Sequence, residues 1–320
     1  MNIRTCVANV YNRPDMVAYY EHLAQYSGLW EEEYDLIKQY LNPSGTLLVV
    51  GCGTGREVFP LRAEEEHIAG MDLARQPLLI AEKKRKVLQA ANISFFQGDA
   101  VSLPYRDDAF HNVLMLAQII QHIPYRRNRR QALCETRRVL HPGGYCILSA
   151  FNKPISLVYL LLMGRQFQSM IRERKGKSAP RQKSQRTLHI FEKIARKMRP
   201  VVRQYSTPLP AWLTVIFSLY CALLNSQRTV RAVLSRHPEH IPEPNDFMID
   251  HADFRFRIVP RKGDLFAHFP DVDEILEDVQ AAGLELVDYR SLEELQQKRA
   301  FPEKERRASR LIFYVVRRVS

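Results

Sequence analysis

Residues 47–55 read Leu-Leu-Val-Val-Gly-Cys-Gly-Thr-Gly, and this stretch decides the fold. Four apolar residues run without alternation into three glycines at alternate positions. A short unalternating run with β-branched residues predicts a strand over 46–50, covered on both faces. Glycines accept backbone angles closed to other residues and leave room for a close neighbour. A strand that enters such a turn and opens a helix makes a corner suited to an anion or a nucleotide. The same bend also occurs in α/β proteins that bind nothing there, so its companions have to decide.

Working outward, further strands are expected over 67–73, 92–100, 110–118 and 143–152, with helical composition over 56–66, 74–91 and 125–140. Strands that alternate with helices imply a parallel sheet covered on both faces. Upstream, Met16, Tyr19, Tyr20, Leu23, Leu29, Trp30, Tyr34, Ile37 and Leu41 recur at helical spacing, which predicts a helix over 14–41 that Asn-Pro-Ser-Gly at 42–45 stops. After residue 152 the rhythm breaks. Two apolar runs, 155–164 and 211–225, flank a polar basic stretch at 172–186, and a Pro-rich connection covers 236–246. An amphipathic helix is expected over 271–283, closed by Gly283, with two more strands at 284–292 and 310–319. No long helical crossover separates those two strands, so they should pair antiparallel.

The chain has 320 residues and a formal net charge of +12, unevenly spread. Residues 151–236 carry 17 Lys and Arg against two Asp and Glu, whereas 1–150 carry 17 against 16. The basic excess therefore belongs to one segment and suits an anionic partner. The five cysteines (Cys6, Cys52, Cys134, Cys146, Cys221) are scattered and form no CxxC pair. That argues against a disulfide framework or a zinc knuckle and suits a reducing compartment. Both apolar runs fall short of the roughly 18–20 residues a bilayer span needs, and 1–15 lacks the apolar core of a signal peptide. A cytoplasmic location, with peripheral membrane contact as an option, is the expectation.

Two acids accompany the glycine corner. Asp72 ends the second strand, 17 residues beyond Gly55, where a carboxylate can accept hydrogen bonds from both hydroxyls of a ribose. Asp99 ends the third strand, where it can reach an adenine edge. A single strand-end aspartate is often only a helix cap, but two at successive strand ends beside a glycine corner are hard to explain as caps alone. A dinucleotide fold could claim the same loop. It requires G-x-G-x-x-G, yet the spacing here is G-x-G-x-G, with Arg56 in the place of the last glycine.

Together, "LLVVGCGTG", "GMDLA", "QGDAVSLPYRDDAFHNVLMLAQIIQHI", "RRQALCETRRVLHPGGYCILSA" and "LFAHFPDVDEILEDVQAAGLELVD" resemble the class I S-adenosylmethionine-dependent methyltransferases. The likeness is strongest to the type 11 group that includes the ubiquinone and menaquinone biosynthesis methyltransferases. It covers 46–152 well and 266–320 more loosely. It implies a Rossmann-like, seven-stranded, mostly parallel sheet with an antiparallel last strand and a helical insert between strands five and six. The domain boundaries expected are 1–152 for the N-terminal helix and cofactor-binding half, 153–265 for the insert, and 266–320 for the C-terminal completion.

The resemblance also implies site roles. Gly51, Gly53 and Gly55, with the backbone of Cys52 and Thr54, cradle the methionine part of S-adenosyl-L-methionine. Asp72 takes the ribose hydroxyls and Leu73 packs on the adenine. Asp99 and Ala100 read the adenine amino edge, and Gln118 faces the methionine moiety or the substrate. Tyr19 or Tyr20 would close over the cofactor. One position departs from the pattern: the family often has an acid two residues before the first glycine, where this chain has Val49.

Methyl transfer is an in-line displacement in which alignment is the protein's main contribution. A base is needed only if the acceptor must lose a proton. His122, one helical turn after Gln118, is the nearest candidate, and a packing histidine is the alternative reading. His268 has similar standing, while His111 reads as a strand residue. His237, His240 and His251 fit no ligand spacing, and no metal is expected. The insert reads either as a lid over a lipophilic small-molecule acceptor or as a small helical subdomain. Its basic excess suits an anionic membrane surface or RNA. A cofactor-binding regulator without catalysis is a further alternative.

Overall fold

The computed structural model describes residues 3–43, 45–152, 246–250, 255–257 and 264–319. Strand β1 (Thr46–Val50) pairs in parallel with β2 (His67–Asp72) on one side and β4 (Phe110–Met115) on the other. Outside these lie β3 (Ile93–Gln97), parallel to β2, and β5 (Leu140–Phe151), parallel to β4. The sheet is completed by β9 (Leu284–Ser291) and β10 (Leu311–Arg318), in the order β3-β2-β1-β4-β5-β10-β9. β10 runs antiparallel to both of its neighbours. The seven-stranded, mostly parallel, Rossmann-like architecture is the one the sequence implies. The chain moves outward from β1 to β3 and then returns to the other side of β1, so β1 and β4 flank the topological switch point where open α/β sheets bind ligands.

The apolar run that predicts β1 is divided between two cores by the alternation of a strand. Leu48 and Val50 join Met71, Met115, Leu148 and Tyr314 on one face. Leu47 and Val49 join Ile68, Leu114, Ile147 and Phe313 on the other. Helices cover both faces. On the first lie α6 (Arg126–Val139), through Ala132 and Leu133, and α7 (Val272–Ala281), through Ile275 and Val279. On the second lie α3 (Glu31–Tyr40), α4 (Val58–Leu61) and α5 (Arg75–Val87), through Leu36, Ile37, Val58, Leu61 and Leu78. Each fully buried Leu or Ile here contributes about 1.5–3 kcal/mol of transfer free energy. α6 is otherwise highly polar. Arg126 and Arg130 both reach the buried Asp278 of α7 at 2.7 Å, which fastens the two helices together.

The helix expected over 14–41 is two helices, α2 (Pro14–Tyr26) and α3. The break falls at Gly28, whose φ of +55° ends α2. Its carbonyl accepts a hydrogen bond from Arg56, and Glu33 closes the start of α3 by accepting from the Trp30 amide at 3.0 Å. Of the helix expected over 56–66, only the single turn α4 forms. An N-terminal helix, α1 (Ile3–Tyr11), was not expected from the sequence. Neither was a second sheet of β6 (Asp246–Asp250), β7 (Arg255–Arg257) and β8 (Asp264–His268), antiparallel in the order β7-β6-β8.

α8 (Leu292–Gln297) and α9 (Glu303–Ala308) connect β9 to β10. The boundary expected at 265/266 falls inside β8. The two apolar runs, the basic stretch and His237, His240 and His251 all lie outside the described residues. Among the described residues no helix is long and apolar enough to cross a membrane.

Candidate functional site

The glycine loop hangs from the end of β2. The amides of Gly51 and Cys52 both donate to the Met71 carbonyl, at 2.7 and 3.0 Å, and the Gly55 amide donates to the Cys52 carbonyl at 2.8 Å. Gly51, Gly53 and Gly55 all have positive φ, at +72°, +53° and +93°. Their bare Cα atoms face different things. A Cβ on Gly51 would lie 2.3 Å from Ile119, and one on Gly55 would lie 2.3 Å from Phe59. A Cβ on Gly53 would meet none of the described residues within 4 Å. Two of the three glycines therefore make room for the protein's own side chains, and the middle one borders open space.

Asp72 joins the loop to the strand end. Its Oδ2 accepts from the Gly53 amide and its Oδ1 from the Ala74 amide, each at 2.8 Å. Burial raises its pKa, and the hydrogen bonds from Ala74 and Gly53 pull the other way. A carboxylate oxygen accepts more than one hydrogen bond, so both retain capacity for hydroxyl donors. The Gly98 amide donates to the Asp72 carbonyl at 3.0 Å, and Gln97 donates to the Leu73 carbonyl at 3.2 Å. These bonds bring Leu73, Asp99 and Ala100 to the same end of the sheet as Asp72. Oδ1 of Asp99 accepts from the Val101 amide at 3.1 Å, so this acid also shapes its own turn.

The remaining predicted loop residues have internal partners. Cys52 is buried, and burial pushes its thiol pKa well up, so it stands as a neutral packing group. Thr54 is buried, and its carbonyl accepts from Lys84, which also pairs with Glu21 at 2.7 Å. Arg56, at the place of the missing glycine, bridges Glu33 and Glu57. Val49 is buried in the core.

Across the switch point the backbone is strained. Ala117 and Gln118 have φ of +50° and +59°, and Tyr125 has +68°. Such angles in non-glycine residues cost of order 1–3 kcal/mol each and concentrate at functional sites. The Gln118 amide donates to Ser149 Oγ at 3.3 Å, at the end of β5. Between these residues lies a 3₁₀ turn, Ile119–His122.

His122 Nδ1 sits 2.8 Å from the Phe266 carbonyl. A carbonyl only accepts, so Nδ1 carries the proton and Nε2 presents a lone pair. Burial lowers the pKa of this histidine, opposed by the Phe266 hydrogen bond, so the ring is neutral near pH 7.

Tyr11, at the tip of α1, was not anticipated. Its ring meets His122 edge-on, with centroids 5.7 Å apart, and lies 5.4 Å from Tyr20. Tyr19 and Tyr20 are themselves in edge contact at 5.2 Å. Burial pushes the Tyr11 phenol well above its usual pKa; Tyr20, its hydrogen-bond partner, and the charge of Asp72 add to the shift. Burial pushes Tyr20 up to about 12. Tyr11 thus stands beside Tyr20 and His122 and within the field of Asp72. Only the tertiary fold brings α1 there; a single positional cue, an aromatic residue ahead of Pro14, was present in the sequence.

His268 does not share the standing of His122. It is 1% exposed and both its nitrogens face carboxylates, Asp246 at 2.8 Å and Glu274 at 2.7 Å, so it offers no lone pair. His111 lies at the opposite end of the sheet, bonded to the Thr46 amide. Among the described residues no group of three or more His, Cys, Asp or Glu side chains is arranged to hold a metal.

Residues 48–148 match a family described as a methyltransferase domain. The demethylmenaquinone methyltransferase of Alkalihalophilus pseudofirmus is 27% identical over 158 residues, covering 47% of this chain and 63% of the relative. That of Deinococcus radiodurans is 34% identical over 127 residues, covering 39% and 51%. The 2-phytyl-1,4-naphtoquinone methyltransferase of Synechocystis sp. is 32% identical over 120 residues, covering 36% and 48%. The chain thus spans about half the length of these relatives. Among solved structures, an S-adenosylmethionine-dependent methyltransferase of Clostridium acetobutylicum superimposes with a TM-score of 0.55 at 12% identity, covering 96% of this chain and 98% of the other. The cyclase SpnF superimposes at 0.52 and 14% identity, covering 100% and 97%. Likeness at this level is one of fold, and the same fold serves more than one activity.

Proposed function

We propose, from the premise that residues 48–148 are a methyltransferase domain of the S-adenosylmethionine-dependent class, that this protein methylates a lipophilic, hydroxylated aromatic small molecule of the quinol type. The observation that carries this reading is the cluster in which Tyr11 meets both His122 and Tyr20 within the field of Asp72, whose carboxylate holds the Gly53 amide at 2.8 Å. The named activities of the relatives, which act on naphthoquinone-type compounds, support the acceptor class.

The residues fit the cofactor. A ligand can lie against Gly53 where no side chain intrudes, with Asp72 accepting from ribose hydroxyls. Leu73 would pack on the adenine, and Asp99 with Ala100 would meet its polar edge. Gly51, Gly55, Cys52 and Thr54 shape the loop rather than touch its open side. Gln118 would line the far wall. When bound, S-adenosyl-L-methionine supplies an electrophilic methyl group.

The chain's own residues do the rest. Tyr19 and Tyr20 offer aromatic faces, which favour a cation and exclude water. Nε2 of His122 accepts the proton of the acceptor hydroxyl, so that electron density rises where the new bond forms. Its lowered pKa keeps it neutral, which a base requires. A phenolic or quinol hydroxyl is acidic enough for such a base to act on.

The test is transfer of labelled methyl by the purified chain to a reduced short-chain naphthoquinol, compared with lipid extract and bulk RNA. Label in the quinol is expected. Label only in RNA would overturn the acceptor, and cofactor binding without transfer to any pool would overturn catalysis.

A further inference from the structure

The 3₁₀ turn that carries His122 is bonded along one side to β8. Gln121 donates to the His268 carbonyl at 2.7 Å, and His122 donates to the Phe266 carbonyl at 2.8 Å. The two acceptors are alternate residues of one strand, so both carbonyls point the same way. Gln121 also accepts from the Phe151 amide at 2.8 Å, which ties the turn to the end of β5.

Besides its ladder to β6, β8 is held by four charges, three buried and one half-buried, that methyl transfer does not use. His268 donates from Nδ1 to Asp246 of β6 and from Nε2 to Glu274 of α7, at 2.8 and 2.7 Å. A ring that donates twice is an imidazolium. The same oxygen of Glu274 accepts from Arg129 of α6 at 2.9 Å, and Arg129 is 1% exposed. Two cations and two anions compensate one another inside the protein and join β6, β8, α6 and α7. Removing one member unbalances the charges that remain.

We infer that His268 is a positioning residue for His122. The charge quartet sets the height of β8 against the 3₁₀ turn, and the Phe266 carbonyl of β8 holds the proton of His122 on Nδ1, so that Nε2 faces the acceptor as a lone pair. The inference rests on His122 as the base. A neutral His268 can donate to only one of Asp246 and Glu274, and β8 then loses a side-chain tie either to β6 or to α7. His122 would then sample the other tautomer, with the proton on Nε2, which cannot accept. Among the described residues the groups that face His122 are Tyr11 from α1, with Tyr20 behind it, and the Phe266 carbonyl; none of these is a charge that could hold the tautomer instead.

The experiment is long-range proton–nitrogen correlation on the protein labelled with nitrogen-15 histidine, beside steady-state kinetics. In the wild type, His122 should carry its proton on Nδ1 alone and His268 on both nitrogens. In His268→Gln and Glu274→Gln, His122 should become a mixture of tautomers, and kcat should fall about 10-fold or more, with the KM for cofactor within about twofold. Should these variants not fold, the wild type is titrated upward until His268 loses its proton, and the His122 signals should change in step. Unchanged His122 signals under either treatment overturn the inference. So does a loss of cofactor affinity parallel to the loss of kcat, which marks a merely structural clamp. His122→Gln with wild-type kcat overturns the base assignment instead, and the tautomer response in His268→Gln reads the coupling separately.

Discussion

The ring of Tyr11 meets the imidazole of His122 edge-on at a centroid distance of 5.7 Å, while its hydroxyl bonds to Tyr20 within the field of Asp72. The carboxylate proposed to take the ribose and the imidazole proposed as the base thus both neighbour one side chain. Tyr11→Ala is expected to lower kcat and weaken cofactor binding together, each by about 10-fold, as a packing residue between two sites should. Tyr11→Phe keeps the ring and should leave kcat within about threefold. Kinetics of the two variants check the split.

Asp72→Ala removes the acceptor for the Gly53 amide as well as the proposed ribose ligand. Loss of hydrogen bonds to a charged group costs about 1.5–3 kcal/mol, or roughly 10- to 100-fold in cofactor affinity. Calorimetry of the folded variant measures this directly. Affinity equal to wild type would contradict the assignment.

His122→Gln should reduce kcat by about 10²-fold or more while cofactor affinity stays at the wild-type value. The pH profile carries a sign. Burial lowers the His122 pKa from its ordinary value near 6.5, and in the proposed role the neutral ring is the active form. Activity should therefore stay flat from pH 8 down past 6.5 and fall only below that point. A fall that begins above pH 7 would point to a different group.

The glycine loop separates folding from binding. Gly51→Ala combines positive φ with a Cβ 2.3 Å from Ile119, so it should lower the melting temperature. Gly53→Ala meets open space and bears only the cost of its backbone angle, about 1 kcal/mol. It should melt near wild type yet bind cofactor at least about 10-fold more weakly. Thermal melts with and without cofactor distinguish the two.

Stability should also depend on pH through the buried quartet. Burial opposes the charge of His268, but hydrogen bonds from its ring to Asp246 and Glu274 hold its pKa above the ordinary value. The contribution is complete below the unfolded pKa near 6.5 and is lost as pH rises through the raised folded value. Glu274 is the opposite case. Burial would raise it, yet His268 and Arg129 bring it down to about 2, so its contribution is present above about pH 4.5 and lost as pH falls towards 2. Melting temperatures between pH 6 and 9 should decline in the wild type more steeply than in His268→Gln.

The central sheet was legible because its strands carry their own pattern. β1 coincides with the apolar run that predicts it, and the antiparallel β9–β10 pair follows from the short connection between them. Asp72 and the glycines were legible because strand ends and turn residues are local signals. Other features depend on distance. Tyr11 lies 111 residues from His122, and no periodicity joins them. Asp246, His268, Glu274 and Arg129 come from four elements, and each alone reads as an ordinary polar residue. The split of the 14–41 helix had a visible cause in Gly28, but the apolar spacing on both sides is continuous and masks it. Which glycine faces open space is decided by Ile119 and Phe59, whose positions only the packed structure supplies.

The two amides that share the Met71 carbonyl have a thermodynamic consequence. With Gly51 and Cys52 anchored there, and Gly53 held by Asp72, the turn is preorganised before any molecule arrives. Ligand association then freezes few backbone rotations, and its conformational entropy penalty falls on the incoming molecule rather than on the receptor.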